Sequence, residues 1–212
     1  MIEVEFFPKV NNRLEHSTQG LDRLLKWSTT NVELKLNTDS YKQWIDEHPN
    51  ATKTEKSKMK VKHFSVVSFG GTFTGTGRAV DINIVSGLIV MDFDHIKNLT
   101  DVKNKLKSDP HTFLMFVSPS GDGLKAVVKH NLIDPDKWKY LYNELEAYYL
   151  QLFMLETDIS GKQLAADSSG KDISRMCFMP YIDDLFRNDD SVVWKYTGQY
   201  ENQTKTLITR AT

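Results

Sequence analysis

Two aspartates separated by one residue follow an apolar run near the middle of the chain, and their spacing suits a metal ion. Asp92 and Asp94 flank Phe93 directly after the apolar run 87–91. An apolar run that ends in carboxylates predicts a buried strand that leaves the core at a site. Because side chains alternate along a strand, the two carboxylates share one face and Phe93 points to the other.

This pair needs a positive partner, because two like charges side by side repel each other. Oxygen ligands at this spacing suit Mg²⁺ or Mn²⁺, the ions of phosphoryl and nucleotidyl transfer. The alternative is a strand end that turns into solvent, and a lone Asp-x-Asp does not decide between the two. If repulsion dominates, removing either carboxylate in metal-free buffer is expected to leave folding intact or slightly stabilised.

A serine- and glycine-rich loop joins two predicted strands, 112–117 and 124–129, and has the composition of a phosphate-binding turn. It offers hydroxyl groups, approachable backbone N–H groups and then a lysine, at Ser118, Ser120, Gly121, Gly123 and Lys125. Hydroxyl and N–H groups that donate hydrogen bonds, together with a lysine charge, can cradle a triphosphate. The alternative is a Pro/Gly hairpin followed by an ordinary exposed lysine.

Further carboxylates and an arginine precede a late strand predicted at 173–181. Asp167 and Asp172 bracket a Ser-Ser-Gly-Lys segment, and Arg175 opens the strand. A third carboxylate beside the aspartate pair would complete a two-metal site, and an arginine could bind phosphate in bidentate fashion. Asp158 is another candidate for that carboxylate, and each of these groups could instead form a surface ion pair. Asp167 and Arg175 would both reach the pair if their strand lay beside the strand that carries it.

The composition of the whole chain leaves a wide range of partners open. The 212 residues include 27 basic and 28 acidic side chains, which give a formal net charge of −1. A neutral protein can still bind phosphates through a local basic surface. Cys177 is the only cysteine, which excludes an internal disulfide and a cysteine-rich zinc module. With no run of eighteen apolar residues, we expect a soluble protein of a reducing cytoplasm and no membrane contact.

The elements that position these groups mix helices and strands. Besides the strands above, apolar spacing predicts strands at 2–7, 64–69, 87–94 and 192–196 and helices around 21–27, 41–45, 101–106 and 134–153. Ser17 or Thr18 is a candidate cap for the first helix. This mixture favours an α+β fold over a doubly wound parallel sheet, since no Gly-x-Gly-x-x-Gly follows a strand.

A lysine-rich stretch precedes the strand predicted at 64–69. Its basic residues are Lys53, Lys56, Lys58, Lys60 and Lys62. Such a run is typical of a solvated face or a mobile loop, and the alternative is a patch that contacts phosphates. If it follows a nucleic-acid backbone, neutralising it should weaken single-strand binding and barely change nucleotide affinity.

Taken in order, these motifs resemble the primase-polymerase (archaeo-eukaryotic primase) superfamily. That superfamily carries an apolar strand ending in Asp-x-Asp, a serine-containing turn with a basic residue, and an aspartate before a late strand. More narrowly, the chain is similar to the VirE-like N-terminal domain. The matching segments lie within 64–190 and are 71–73 with Arg78, 86–95, 118–125 and 167–181.

The resemblance implies an α+β core with a mixed or antiparallel, RRM-like sheet flanked by helices. It implies that Asp92, Asp94 and Asp167 are catalytic ligands of Mg²⁺ or Mn²⁺ in a two-metal site. It assigns nucleotide binding to Ser118, Ser120, Gly121, Gly123, Lys125, Arg175 and Arg78. The basic residue of the second motif is usually histidine, whereas this chain has a lysine there.

The function implied by the resemblance is template-dependent nucleotidyl transfer, by a DNA primase, a polymerase or both. The expected partners are single-stranded DNA, nucleoside triphosphates and a helicase or other domain C-terminal to this segment, in a prokaryotic or mobile-element setting. One alternative is a binding module that has kept the fold without catalysis. A rolling-circle nuclease ranks lower, because no His-x-His motif occurs.

The same interpretation of the sequence divides the chain into three parts. Residues 1–62 are an N-terminal helical and basic subregion of the same domain, 63–200 the primase-polymerase core, and 201–212 a tail or linker.

Overall fold

The computed structural model of the chain describes residues 1–201, so the predicted tail lies outside the described residues except for its first residue. The α-helices of this part of the chain are α1 (Leu21–Thr30), α2 (Val32–Glu47), α3 (Lys53–His63), α4 (Leu99–Ser108) and α5 (Trp138–Leu152). The strands are β1 (Glu3–Phe7), β2 (Ser17–Gly20), β3 (Val66–Ser68), β4 (Gly71–Phe73), β5 (Ile82–Val85), β6 (Leu88–Phe93), β7 (Thr112–Val117), β8 (Leu124–Lys129), β9 (Met176–Phe178) and β10 (Phe186–Arg187).

The strands form two four-stranded sheets and one two-stranded sheet. The strand orders are β10-β7-β8-β6, β2-β1-β3-β9 and β4-β5. The paired strands are antiparallel throughout, which confirms the α+β class expected from the sequence. The RRM-like arrangement of the sheet stays a prediction.

Side-chain alternation on β6 and β8 gives the sheet β10-β7-β8-β6 two different faces. Met91 and Phe93 pack into the core beneath α4 and α5, whereas Leu88 packs with Val4 and Val67 of the neighbouring sheet. Asp92 lies on the same face of the sheet as Leu88, because side chains two and four positions apart on a strand point the same way. The aspartate therefore lies on the side of the sheet that faces the second sheet, at the end of its strand.

Several predicted elements occur where they were expected. Strands β7 and β8 have the predicted bounds, and α5 follows a short 3-10 helix at Pro135–Lys137 within the predicted range. The lysine-rich stretch is not a loop but helix α3, which begins with a capping box between Thr52 and Glu55. No helix among the described residues is long and apolar enough to cross a membrane.

Three expectations for the secondary structure were wrong. Ser17 and Thr18 do not cap α1 but pair with β1 as part of β2. The strand predicted at 192–196 reduces to an isolated bridge between Trp194 and His130. The late strand is shorter than predicted; it pairs with β3 in the second sheet, so the condition under which Asp167 and Arg175 were expected to reach the aspartate pair, a late strand beside β6, is not met. In each of these places the secondary structure depends on which strands pair in the folded protein. The local sequence pattern does not show that pairing.

Phe93 anchors the end of β6, so its truncation tests how the site is held. The ring is fully buried and lies 5.4 Å and 5.0 Å from the ring centroids of Tyr149 and Phe153. We expect Phe93→Ala to lower the free energy of unfolding by about 3–5 kcal/mol, because it leaves a cavity under the site. Urea denaturation measures this, with the exposed Leu36→Ala as a control that should change stability by less than about 0.5 kcal/mol. A change no larger than the control's would contradict this packing.

Candidate active site

Three carboxylates converge at the end of β6. Oxygen atoms of Asp92, Asp94 and Asp167 lie within 4.8 Å of one another. Asp92 is buried, Asp167 is half-buried and Asp94 is exposed, so the group passes from the protein interior to solvent. Carboxylate oxygens gathered this closely are the ligand set that Mg²⁺ and Mn²⁺ prefer.

A direct backbone contact brings Asp167 to the other two. Its N–H donates a 2.8 Å hydrogen bond to the carbonyl of Asp92, and the hydroxyl of Tyr142 donates a 2.8 Å bond to the carbonyl of Asp167. Gly170, one turn later, lies so close to α5 that an added Cβ would be 2.5 Å from the Tyr142 ring. The segment is therefore fixed between β6 and α5, independently of the late strand.

The two other candidates for the third carboxylate, Asp172 and Asp158, accept hydrogen bonds within their own turns. Oδ1 of Asp172 accepts hydrogen bonds of 2.9 Å from both the N–H and the hydroxyl of Ser174. Oδ1 of Asp158 accepts bonds from the N–H groups of Ser160 and Lys162, at 2.8 and 3.0 Å. Neither belongs to the acidic group, although Asp172 lines the same cavity.

Lys125 forms a buried ion pair with Asp92. The two residues are direct cross-strand partners on β8 and β6, and they are 6% and 7% exposed. Burial alone would lower the pKa of Lys125, but the adjacent charge of Asp92 prevails and raises it. The lysine thus remains charged, and the alternative of an ordinary exposed hairpin lysine is wrong.

The second carboxylate oxygen of Asp92 gives a test of metal binding. Oδ1 of Asp92 is buried and has no hydrogen-bond partner, while Oδ2 accepts from Lys125. A buried carboxylate oxygen without a partner is costly, and a cation at the acidic group would satisfy it. The residues present therefore fit a divalent metal ion.

Arg175 adds a second positive charge to the acidic group. One guanidinium nitrogen lies 3.2 Å from Oδ2 of Asp167 and 3.7 Å from Oδ2 of Asp92. Burial would raise the pKa of Asp167, but the N–H of Ser169 and the charge of Arg175 lower it. The pKa of Asp94 is raised, first by its loss of solvent in the cleft and then by the charge of Asp92. The raised pKa makes Asp94 easier to protonate than an ordinary aspartate, and a proton bound there would compete with a metal.

The acidic group opens into a cavity of about 840 Å³, large enough for a nucleotide. Besides the three aspartates, it is lined by Ser118, Ser120, Lys125 and Arg175, as the sequence predicted, and also by Arg13, His95, Lys53, Lys56 and Lys60. Gly121 instead lines a smaller neighbouring cavity. Arg78 is exposed on the segment between β4 and β5 and does not line this cavity, so the structure does not place it with the other predicted site residues.

The two predicted glycines shape the serine loop. Gly121 has a positive φ of 84°, a conformation that side chains with a Cβ rarely adopt. A Cβ on Gly123 would lie 2.7 Å from the carbonyl of Phe93 and 3.1 Å from Oδ1 of Asp94. The absence of a side chain thus lets the loop pack directly against the aspartate pair. Its hydroxyl groups, on Ser118 and Ser120, are 3.1 Å apart.

His95 and Arg13 line the cavity without having been assigned a role from the sequence. His95 has a positive φ of 56°, and its Nδ1 lies 2.7 Å from Oδ2 of Asp122 in the serine loop. Its position directly after Asp94 was a signal that sequence reasoning could have used. Arg13 comes from the segment between β1 and β2, and nothing in the local sequence connects it to the site.

Fold and site together define an α+β protein with an acidic, cation-lined pocket. The sequence model of the BT4734-like, N-terminal domain family matches residues 58–186, and the chain belongs to this family. This family differs from the VirE-like group to which the motifs were most similar. No curated protein matches the chain.

Among solved structures, the chain is similar to the AEP domain of the cyanophage S-2L Primase-Polymerase (PrimPol). The sequence identity is 13%, the TM-score is 0.42, and the match covers 95% of this chain and 88% of that chain. Similarity at this level is too low to establish the fold or the activity of this chain.

The two aspartates of β6 should differ in their effect on stability in metal-free buffer. Asp92→Asn leaves the buried Lys125 without its charged partner and should cost about 3–5 kcal/mol of unfolding free energy. Asp94→Asn should stabilise the protein at neutral pH, because the raised pKa of Asp94 means that its ionisation opposes folding. Urea denaturation in the presence of a chelator measures both changes.

The sign of the Asp94 effect can be checked with pH. Below its raised pKa the Asp94 carboxyl is neutral, so the stability difference between wild type and Asp94→Asn should shrink as pH falls through that pKa. Stabilisation by both Asp92→Asn and Asp94→Asn would return to the symmetric repulsion expected from the sequence, and destabilisation by both would contradict the effect assigned to Asp94.

Proposed function

We propose that this chain is a metal-dependent nucleotidyltransferase of the primase-polymerase superfamily that extends a nucleic-acid strand on a template as a DNA primase, a polymerase or both. The observation that carries the proposal is the convergence of Asp92, Asp94 and Asp167, with a buried unpartnered oxygen on Asp92, at a cavity of nucleotide size. The ordered motifs that resemble this superfamily support it, since most of their polar residues line one cavity, with Arg78 as the exception.

In this proposal the three aspartates hold Mg²⁺ or Mn²⁺. A metal ion bound there supplies activation of the attacking hydroxyl and neutralisation of the leaving group. Lys125 holds the carboxylate of Asp92 in place through the buried ion pair, so we give it a positioning role. A direct phosphate contact by Lys125, which the resemblance implies, would require this pair to open.

The other polar groups of the cavity bind the nucleotide. Ser118 and Ser120 present hydroxyl groups beside Asp94, and Arg175 presents a partly exposed guanidinium that can bind phosphate in bidentate fashion. A 3′-hydroxyl oxygen then bonds to the α-phosphorus and its proton passes to solvent, while the bond from that phosphorus to the bridging oxygen breaks and pyrophosphate leaves. The partners in this proposal are a single-stranded DNA template and nucleoside triphosphates.

One observation favours a second candidate, a nucleotide- or nucleic-acid-binding module without catalysis. Lys125 and Arg175 already neutralise part of the acidic group, and Asp92 contacts both. A site balanced in this way could hold a nucleotide without a catalytic metal. Binding without incorporation would support this candidate.

Primer–template extension tests the proposed function. Labelled ribo- and deoxynucleotides, with Mg²⁺ or Mn²⁺ and with or without a primer, should give incorporation by the wild-type protein. Asp94→Asn and Asp167→Asn should lower incorporation by about 100-fold or more, since even groups behind the metal ligands cost about 10- to 100-fold when lost. Asp158→Asn is the matched control, because Asp158 lies outside the acidic group and closes its own turn.

Two results would contradict the proposal. Full activity of Asp94→Asn or Asp167→Asn would show that the acidic group takes no part in the reaction. A wild-type protein that binds nucleotide but incorporates none under all these conditions would favour the binding module.

A further inference from the structure

The lysines of α3 divide between two faces of the helix. Lys53, Lys56 and Lys60 line the cavity of the acidic group, whereas Lys58 and Lys62 do not. The first three are spaced by three and four residues, which places them in one stripe along a helix. The sequence showed a single basic run, and the docking of α3 separates it into an inner and an outer set.

No carboxylate among residues 1–201 lies within ion-pair distance of the inner lysines, Lys53, Lys56 and Lys60. Lys60 is half-buried, and its burial and the charge of Lys125 lower its pKa, although the charges of Asp94, Asp92 and Asp122 act in the opposite direction. A partly desolvated cation without a partner is destabilised, and a bound anion would relieve that cost.

The cavity therefore has an acidic part and a basic part. Carboxylates of Asp92, Asp94 and Asp167 form one side, and the ammonium groups of α3 line another part of the same space. A metal–triphosphate complex has the matching distribution, with a cation that seeks carboxylates and phosphate oxygens that seek lysines.

We propose that Lys53, Lys56 and Lys60 bind the polyphosphate of the incoming nucleoside triphosphate rather than the backbone of a nucleic-acid strand. This inference rests on the proposed function and names the substrate contacts of that site. A strand that followed α3 along its exposed surface would meet Lys58 and Lys62, which lie outside the cavity. A phosphate that reaches Lys60 must instead enter the cavity that contains the carboxylates.

Equilibrium binding to variants of the full chain tests the proposal without requiring catalysis. The inner variant is Lys53→Ala/Lys56→Ala/Lys60→Ala, and the matched control on the same helix is Lys58→Ala/Lys62→Ala. Titrations with Mg²⁺ and ATP, dATP, AMP or a single-stranded oligodeoxynucleotide report the affinities. We expect the inner variant to weaken ATP and dATP binding by about tenfold or more, through lost charge-assisted hydrogen bonds, and AMP binding much less. The control should leave triphosphate binding unchanged.

Two single substitutions of Lys60 distinguish the loss of its charge from a loss of folding. Lys60→Arg keeps the charge and should retain most of the triphosphate affinity, whereas Lys60→Met keeps the aliphatic stem and should lose part of it. Thermal unfolding of each variant checks that the helix remains folded.

The remaining outcomes overturn the inference in distinguishable ways. Unchanged triphosphate binding with weakened oligonucleotide binding by the inner variant would assign α3 to the strand and leave the proposed function intact. Equal triphosphate affinity of the inner and outer variants would overturn the inference alone. A wild-type protein that binds no triphosphate would overturn the inference and the proposed function together.

Discussion

The buried ion pair between Asp92 and Lys125 is the interaction on which the candidate site depends. An isolated carboxylate at this depth would take up a proton, and an isolated lysine would lose one. The antiparallel register of β6 and β8 places the two groups opposite each other, and the charge of Asp92 raises the pKa of Lys125. Replacing such a pair by apolar residues is often neutral or stabilising, so stability alone gives little reason to place charges here. A metal site gives a functional reason, since it needs an ionised, fixed carboxylate.

The rest of the site is built outward from this pair. The carbonyl of Asp92 accepts a hydrogen bond from the N–H of Asp167, and this bond, together with the contacts of the segment with Tyr142, sets the position of the third carboxylate. Gly123 lets the serine loop reach the same strand end, and α3 brings its inner lysines to the cavity. Charge therefore changes from negative at the strand end to positive at the helix, and the cavity between them has the polarity of a metal–nucleotide complex.

Sequence reasoning succeeded where local pattern decides the structure. Alternation along β6 placed Asp92 and Asp94 on one face, and the turn between β7 and β8 followed from its serine and glycine residues. It could not identify the partner of Asp92, because strand register is a tertiary property. For the same reason it left Asp167, Asp158 and Asp172 as alternatives, since only the folded turns show which carboxylate oxygens are already occupied.

Errors and omissions arose mainly where two distant elements meet. The late strand pairs with β3, yet Arg175 still reaches Asp167 from the loop that precedes it. The division of the α3 lysines depends on how that helix docks, and Arg78 shared a motif with site residues without sharing their cavity. Spacing along the chain predicts which residues share an element, but packing decides which elements share a site.

The most direct test of the central claim is a crystal structure with Mn²⁺ and a non-hydrolysable nucleoside triphosphate, in which anomalous scattering locates the metal. The account predicts a peak about 2.0–2.3 Å from carboxylate oxygens of Asp92, Asp94 and Asp167, with phosphate oxygens on the opposite side of the same ion. A bound nucleotide with no metal at these three carboxylates, or with the metal held elsewhere, would contradict it.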